Sequence, residues 1–340
     1  MGTFRPLALA LISGLLAANY AFGAGTVESN ESETTEGNDP RIEVEHEHGT
    51  LELDEEPQRI VSVGYSDHDV LLSLGIEPVG VREWYGGYPF ATWPWAQDAL
   101  GDAEPEIVGD AELDLEQIAA LDPDLIVGVN TAMSESEFDL LSQIAPTLGP
   151  SRDYPEFGTP WDAKTELIAE AVGQSEQGAE VISEIESRLE QVRQENPEFS
   201  DAEIAVAFNF DGDVGAYASR DVRSRLMEQL GFEIPERYDE LAGDSFFASF
   251  SEEEIQLPDR DLILWIGASD ADIERIRELS LRDQLAAVDE GREIFAGTVL
   301  GGAFSFASPL SIPYLLDELV PALAAAVDGD PGTEVPEGLQ

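Results

Sequence analysis

The chain of 340 residues contains no cysteine, one lysine (Lys164) and three histidines (His46, His48 and His68). The lack of cysteine excludes disulfides, thiolate metal sites, iron–sulfur clusters and cysteine nucleophiles. Cations are scarce as a class: 17 Lys and Arg stand against 71 Asp and Glu, a formal charge of −54. Nucleic acid, which is held through clustered cations, is excluded as a partner, and direct binding to anionic lipid is not expected. The composition is otherwise that of a globular protein, 43% hydrophobic and 8% aromatic, so the acidity is added to a chain able to bury a core. Such a charge repels itself unless salt screens it, and we read it as adaptation to a salty medium.

The few histidines narrow the chemistry further. His46 and His48 are two apart in a candidate strand and share one face, which could chelate a metal, but the surrounding glutamates favour a solvated edge strand. The segment Gly64-Tyr65-Ser66-Asp67-His68 is half of a nucleophile elbow, with histidine where the second glycine belongs. No histidine follows His68 to complete a triad, so an α/β hydrolase is the weaker reading, and Ser66 or Asp67 is expected to cap a helix. Neither a G-x-G-x-x-G nor a Walker sequence is present, and Gly301-Gly302 reads as a turn.

At the N-terminus, Arg5, the apolar run Leu7 to Leu16 and Ala21-Phe22-Gly23 form an export signal over residues 1–24. The run is too short to read as a membrane span, and the body of the chain is expected outside the cytoplasm. Residues 25–40, rich in Ser, Thr, Glu and Asn, have the composition of a disordered tether. Alternating residues then predict an edge hairpin turning at Gly49. Buried-type strands follow at Arg59–Gly64, Ile76–Val81 and Asp124–Val129, with helices from Ser66 and Asp114 between them. This alternation predicts an α/β fold with a largely parallel sheet. The organisation expected is an N-terminal lobe over 41–158, one long helix over 159–197, a C-terminal lobe over 198–330 and a disordered tail over 331–340.

The lobes share a repeat. Glu116-x-Ile118 runs on to Asp124-Leu125-Ile126, and Glu253-x-Ile255 to Asp261-Leu262-Ile263, at the same internal spacing. Each copy is expected to be a helix leading into a buried strand. Between Trp84 and Trp95 the chain packs Trp84, Tyr85, Tyr88, Phe90, Trp93 and Trp95 among glycines and prolines, directly after a strand. A loop there, at the carboxyl end of a parallel strand, is where open α/β sheets bind ligands, and its aromatics suit a large, partly apolar one. Arg82 opens this loop, and Tyr217, Arg220 and Arg223 follow the second lobe's first strand.

Several of these segments resemble iron–siderophore substrate-binding proteins of ABC importers: Arg59 to Asp69 with Leu74-Gly75-Ile76-Glu77-Pro78-Val79-Gly80-Val81, Leu121-Asp122-Pro123-Asp124-Leu125-Ile126, Ser142 to Thr147, and Phe306 to Tyr314. The resemblance implies two Rossmann-like lobes with central β-sheets, joined by one long α-helix, with the ligand in the cleft between them. It implies a non-enzymatic monomer, without catalytic residues, metal site or cofactor of its own, that hands a ferric siderophore to an ABC permease dimer worked by a separate ATPase. Glu116 and Glu253 match the glutamates that dock each lobe on the permease. Many relatives carry a lipidated cysteine after the signal, where this chain has Ala24-Gly25, so localisation in the periplasm or at the outer face of the cytoplasmic membrane is expected without a thioether lipid. Ligand contacts vary between branches, so Arg82, Trp84, Tyr85, Tyr88, Trp95, Tyr217, Arg220 and Phe247 are chosen from local chemistry, the arginines favouring an anionic ligand. Cobalamin or haem is the alternative ligand.

Overall fold

The structure, a computed structural model, describes residues 41–333 apart from 211, 212 and 268, together with residue 335. The expected signal and tether lie outside the described residues. Among the described residues no helix is long and apolar enough to cross a membrane.

Two five-stranded sheets organise the chain. In the first, β3 (Ile60–Ser62), β4 (Gly80–Val81), β5 (Glu106–Ile107), β6 (Leu125–Val127) and β7 (Thr147–Leu148) lie in the order β5-β4-β3-β6-β7, all parallel. In the second, β8 (Ile204–Phe210), β9 (Asp213–Tyr217), β10 (Phe247–Phe250), β11 (Leu262–Ile266) and β12 (Glu293–Ala296) take the equivalent order β10-β9-β8-β11-β12, with β9 antiparallel to both neighbours. Each sheet therefore reverses its winding between its first and fourth strands, which is the crevice where such sheets accept ligands.

Short strands suffice because they are buried on both faces. Ile60, Val61, Leu125, Ile126 and Val127 are at most 1% exposed, as parallel strands covered by helices must be. Of the stretch expected as strand from Ile76, only Gly80–Val81 pairs, and Pro78 before it has no N–H to give a ladder.

The sequence repeat marks this shared topology. Leu125 pairs in register with Ile60, and Leu262 with Ile204. The repeated aspartates close the same junction, Asp124 accepting the backbone N–H groups of Gln58 (2.8 Å) and Arg59 (2.7 Å), and Asp261 that of Glu203 (2.9 Å). One half of the expectation fails. The first copy opens an α-helix, α3 (Leu115–Ala120), whereas the second makes a single 3-10 turn, Glu252–Glu254. Pro258 follows Glu253 two residues sooner than Pro123 follows Glu116, and the residue before a proline avoids helical backbone.

In the N-terminal lobe, α1 (Asp67–Ser73), α2 (Gln97–Leu100), α3 and α4 (Glu135–Ser142) flank the first sheet. A hairpin of β1 (Ile42–His46) and β2 (Gly49–Leu53) covers α5 (Trp161–Ala171) with Ile42, Val44, Leu51 and Leu53. The helix expected over 159–197 is two: α5 ends at Val172, Gly173 takes φ 73°, and α6 (Ser175–Glu195) starts afresh. The joining helix is thus the 21-residue α6, whose Ile185, Leu189 and Val192 enter the core of the C-terminal lobe.

That lobe is completed by α7 (Val222–Leu230), α8 (Glu236–Ala242), α9 (Asp270–Arg277), α10 (Ala286–Asp289), α11 (Thr298–Phe306) and α12 (Ser311–Ala326). Gly301 and Gly302, expected in a turn, lie inside α11. A Cβ on Gly301 would come within 2.5 Å of the Gly267 carbonyl oxygen, and one on Gly302 within 2.4 Å of the Trp93 ring. The pair lets one helix press on the end of β11 and on the aromatic loop of the other lobe. Of the expected tail over 331–340, residues 331–333 and 335 are described: the Thr333 hydroxyl donates to Asp328 (2.6 Å) and Val335 packs on the core.

The histidine pair is not on a solvated edge. His48 stacks on Phe138, ring centroids 4.9 Å apart, and its Nε2 lies 3.0 Å from the Met133 carbonyl oxygen. His46 is 1% exposed beneath the hairpin. Burial first, and then repulsion from His48 and Arg152, lower its pKa from 6.5 to about 4. In the unfolded chain His46 binds a proton near pH 6.5, so its contribution to stability is complete above that pH and is lost as pH falls toward about 4. Between pH 7 and pH 4 the native protein is expected to lose about 1–3 kcal/mol more than His46→Phe. Chemical denaturation at fixed salt checks this, and parallel pH curves for the two proteins would refute it.

Candidate functional site

A polar knot occupies the switch point of the first sheet. Ser66, Asp67, His68 and Asp69, at the start of α1, are each 0% exposed, and Lys164 on α5 is 3% exposed. Ser66 stands at the N-cap position of α1, as expected from sequence, but makes no side-chain capping hydrogen bond. The Asp67 carboxylate instead turns across the sheet and accepts the N–H groups of Val129 (2.6 Å) and Asn130 (3.1 Å), where the chain leaves β6. Lys164 Nζ donates to Ser66 Oγ (2.7 Å) and to the Phe306 carbonyl (3.1 Å), and Asn130 Nδ2 also donates to Ser66 Oγ (2.8 Å). Asp69 accepts from Trp95 Nε1 (2.8 Å) and from the hydroxyl of Ser308.

Phe306 ends α11 in the other lobe and Ser308 follows it, so the ammonium of Lys164 and the carboxylate of Asp69 each hold the lobes together. Burial raises the Asp67 pKa against the opposing pull of Lys164, and lowers that of Lys164 against the pull of Asp67 and Asp69. Burial also lowers the His68 pKa. The imidazole lies 3.7 Å from Asp69 and meets the Phe306 ring edge-on at 5.7 Å. Ser66 is closed to solvent and bonded to lysine and asparagine rather than to an imidazole.

Above the knot a cavity of about 710 Å³ opens between the lobes, with an adjoining chamber of about 140 Å³. Trp84 and Tyr85 of the N-terminal lobe face Phe208, Tyr217, Phe246 and Phe247 of the other. Phe208 is the centre of this second wall, 5.0 Å from the Tyr217 ring and 5.6 Å from that of Phe247, which register places opposite each other on β9 and β10. The chamber runs inward past Asn130 and Phe157 to Lys164.

Both spaces are lined by Asp221 and Arg223. The Asp221 carboxylate caps α7 by accepting the Arg223 N–H (2.9 Å) and also pairs with the guanidinium at 3.2 Å. Arg223 Nη2 donates to Ser305 Oγ (2.8 Å), its Cζ stands 4.4 Å over the Tyr217 ring, and its Nε has no partner. Burial works against the guanidinium charge, but Tyr217 and Asp221 outweigh it and raise the pKa. Burial raises the pKa values of Tyr85 and Tyr217, keeping both phenols neutral.

Of the residues chosen from sequence, Trp84, Tyr85, Tyr217 and Phe247 line the cavity, and Arg82, Tyr88, Trp95 and Arg220 do not. Arg82 is 5% exposed and donates to the carbonyls of Asp110 (2.7 Å) and Ala111 (2.8 Å), with Tyr65 stacked on it at 4.3 Å. It braces the loops after the sheet. Tyr88 and Trp95 pack on the buried Trp93, at 4.7 and 5.0 Å between centroids, so half of the aromatic loop is a local core. Sequence reasoning passed over Phe208 and Asp221, and noted Arg223 beside Tyr217 and Arg220 without choosing it for ligand contact. Asp221 and Arg223 begin a helix after a strand, a signal that was present in the sequence. Glu116 and Glu253 are both exposed.

Lys164 balances two buried carboxylates, and removing one member of such a group strands the others without a counter-charge. Lys164→Met is expected to cost about 3–5 kcal/mol in chemical denaturation, with part of the loss recovered in Lys164→Met/Asp67→Asn. A cost below about 1 kcal/mol, the range of an exposed pair, would refute this account of the knot.

Known proteins share this fold. The periplasmic solute binding protein from Mycobacterium smegmatis superposes with a TM-score of 0.77 at 33% identity, over 85% of this chain and 100% of that one. PiaA from Streptococcus pneumoniae, solved in complex with ferrichrome, superposes with a TM-score of 0.69 at 25% identity, over 85% and 99%. The probable siderophore-binding lipoprotein YfiY of Bacillus subtilis is 32% identical over 231 residues, 65% of this chain and 67% of that protein. Residues 60–297, from the first strand of the first sheet to the end of the second, match the periplasmic binding protein family, and the chain belongs to that family.

Proposed function

We propose that this protein is an extracytoplasmic solute-binding protein that captures a ferric siderophore between its lobes and delivers it to an ABC permease. The observation that carries this reading is the cavity of about 710 Å³ at the carboxyl ends of both sheets, walled by aromatic faces and holding a single buried ion pair. A volume in the upper part of the usual range for ligand pockets suits a metal chelate of siderophore size. Among the described residues no group of three His, Asp or Glu side chains converges to hold a bare metal ion, so iron would enter already wrapped in its chelator. Trp84, Phe208 and Tyr217 would cover the organic shell, and Arg223, whose Nε is unpaired, would donate to its oxygen ligands.

The knot beneath the cavity supports a modest movement of the lobes on binding. Lys164, Asp69 and the contact between Trp93 and Gly302 each tie one lobe to the other, and a wide opening would strand buried charge. Glu116 and Glu253 head the repeated segments and are the proposed permease contacts, one on each lobe, where a carboxylate can meet a cationic pocket. The named Bacillus relative is a lipoprotein, whereas this chain has no cysteine to carry a thioether lipid.

Quenching of tryptophan fluorescence by a ferric siderophore, saturable after inner-filter correction and weaker with the iron-free chelator, is the expected result. Trp84 stands on the wall and Trp93 behind it, so occupancy reaches the fluorophores directly. Saturation by cobalamin or haem alone would move the function to those ligands, and saturation by none of them would overturn the reading. Glu116→Lys and Glu253→Lys are expected to leave that titration unchanged and to reduce uptake by cells at least about tenfold, the effect of juxtaposing like charges at an interface. Uptake equal to the native level would remove these residues from the docking surface.

A further inference from the structure

Resting on the siderophore reading, the charge of the cleft selects the class of chelate. Among the described residues, the formally charged side chains on the walls of the two connected spaces are Asp221, Arg223 and Lys164. Asp221 and Arg223 cancel each other at 3.2 Å. The ammonium of Lys164 is turned away onto Ser66 Oγ and the Phe306 carbonyl, with Asp67 and Asp69 behind it. Neither Arg82 nor Arg220, the arginines expected to draw an anion, reaches the walls. Besides these, the walls offer the Arg223 Nε, which has no partner, aromatic faces, neutral phenols and the uncharged polar residues Asn130, Thr159, Asn209 and Ser305.

An anion entering this space leaves water without meeting an unpaired cation, inside a protein whose formal charge of −54 opposes it. The charge of a ferric complex depends on its ligands. Three hydroxamates, each singly negative, neutralise Fe(III). Replacing one by an α-hydroxycarboxylate gives a monoanion, and three catecholates give a trianion. We infer that the ligand of this cleft is a ferric hydroxamate complex that is neutral or singly negative, and that the cleft rejects ferric tris-catecholates. The single Arg223 donor serves one oxygen edge of such a complex, and the facing aromatic walls cover its hydrocarbon arms.

Fluorescence titration of the full chain with ferrichrome, with the ferric complex of a citrate-centred dihydroxamate and with ferric enterobactin, in low and high salt, tests this. At least one of the two hydroxamate complexes is expected to saturate, with an affinity nearly independent of salt and at least about 100-fold tighter than that of the tris-catecholate. Asp221→Asn keeps a good helix cap while releasing the charge of Arg223, and is expected to strengthen tris-catecholate binding at least about tenfold. Tris-catecholate binding as tight as that of either hydroxamate complex would overturn the charge inference and leave the siderophore reading standing. Saturation by none of the ferric chelates would overturn both.

Discussion

Three buried ionisable side chains, Asp67, Asp69 and Lys164, meet where the first sheet reverses its winding, and the placement of nearly everything functional follows from their need for partners. A buried carboxylate needs hydrogen bonds and a cation near it. Asp67 meets that need with the backbone leaving β6, which fixes the loop carrying Asn130 into the inner chamber. Lys164 and Asp69 meet it by reaching the chain after α11, and so one set of buried charges both shapes the floor of the cavity and joins the two lobes. The only lysine in the chain is consumed here, in a protein whose surface cations are otherwise arginine.

The aromatic residues divide between supporting and lining positions. Trp93 is 1% exposed and is the hub on which Tyr85, Tyr88 and Trp95 pack, and the flat face it offers Gly302 allows α11 to approach. Trp84 and Tyr85 then project from a braced loop instead of a mobile one. Arg82 belongs to the same brace, since its guanidinium satisfies the carbonyls of Asp110 and Ala111. Rigid walls reduce the ordering cost of binding, which suits a carrier that must recognise its cargo before presenting it to a membrane partner. The large negative charge is consistent with this division: the acids lie mainly on the surface, while the walls of the cleft carry a compensated pair.

Much of the architecture was legible before folding. The buried runs Arg59–Gly64 and Asp124–Val129, the hairpin around Gly49 and the repeat from Glu116 and Glu253 led to the two lobes, because strand and helix periodicities are local and the repeat records a shared topology. The break at Gly173 was less visible, since apolar spacing continued across it, and only the positive φ ends α5 there. The second copy's missing helix turned on a proline shifted by two residues. Four of the eight residues proposed for ligand contact line the cavity. For Arg82, Tyr88 and Trp95, which do not, the reason is three-dimensional competition: an arginine beside unsatisfied carbonyls, or an aromatic ring beside a buried tryptophan, is taken by its neighbours before a ligand can use it.

The sequence by itself determined the absence of thiol chemistry, the overall charge, the α/β class, the two-lobed order and the presence of an aromatic loop at a strand end, all properties of composition or of residues close in the chain. Tertiary structure alone decided that Asp221 and Arg223 cancel on the wall, that Lys164 faces inward to Ser66, Asp67 and Asp69, that Gly302 makes a contact between lobes, and that His46 is buried. Each of these depends on residues brought together across tens to hundreds of positions, and the state of a charge is set by what surrounds it in space, which no local pattern records.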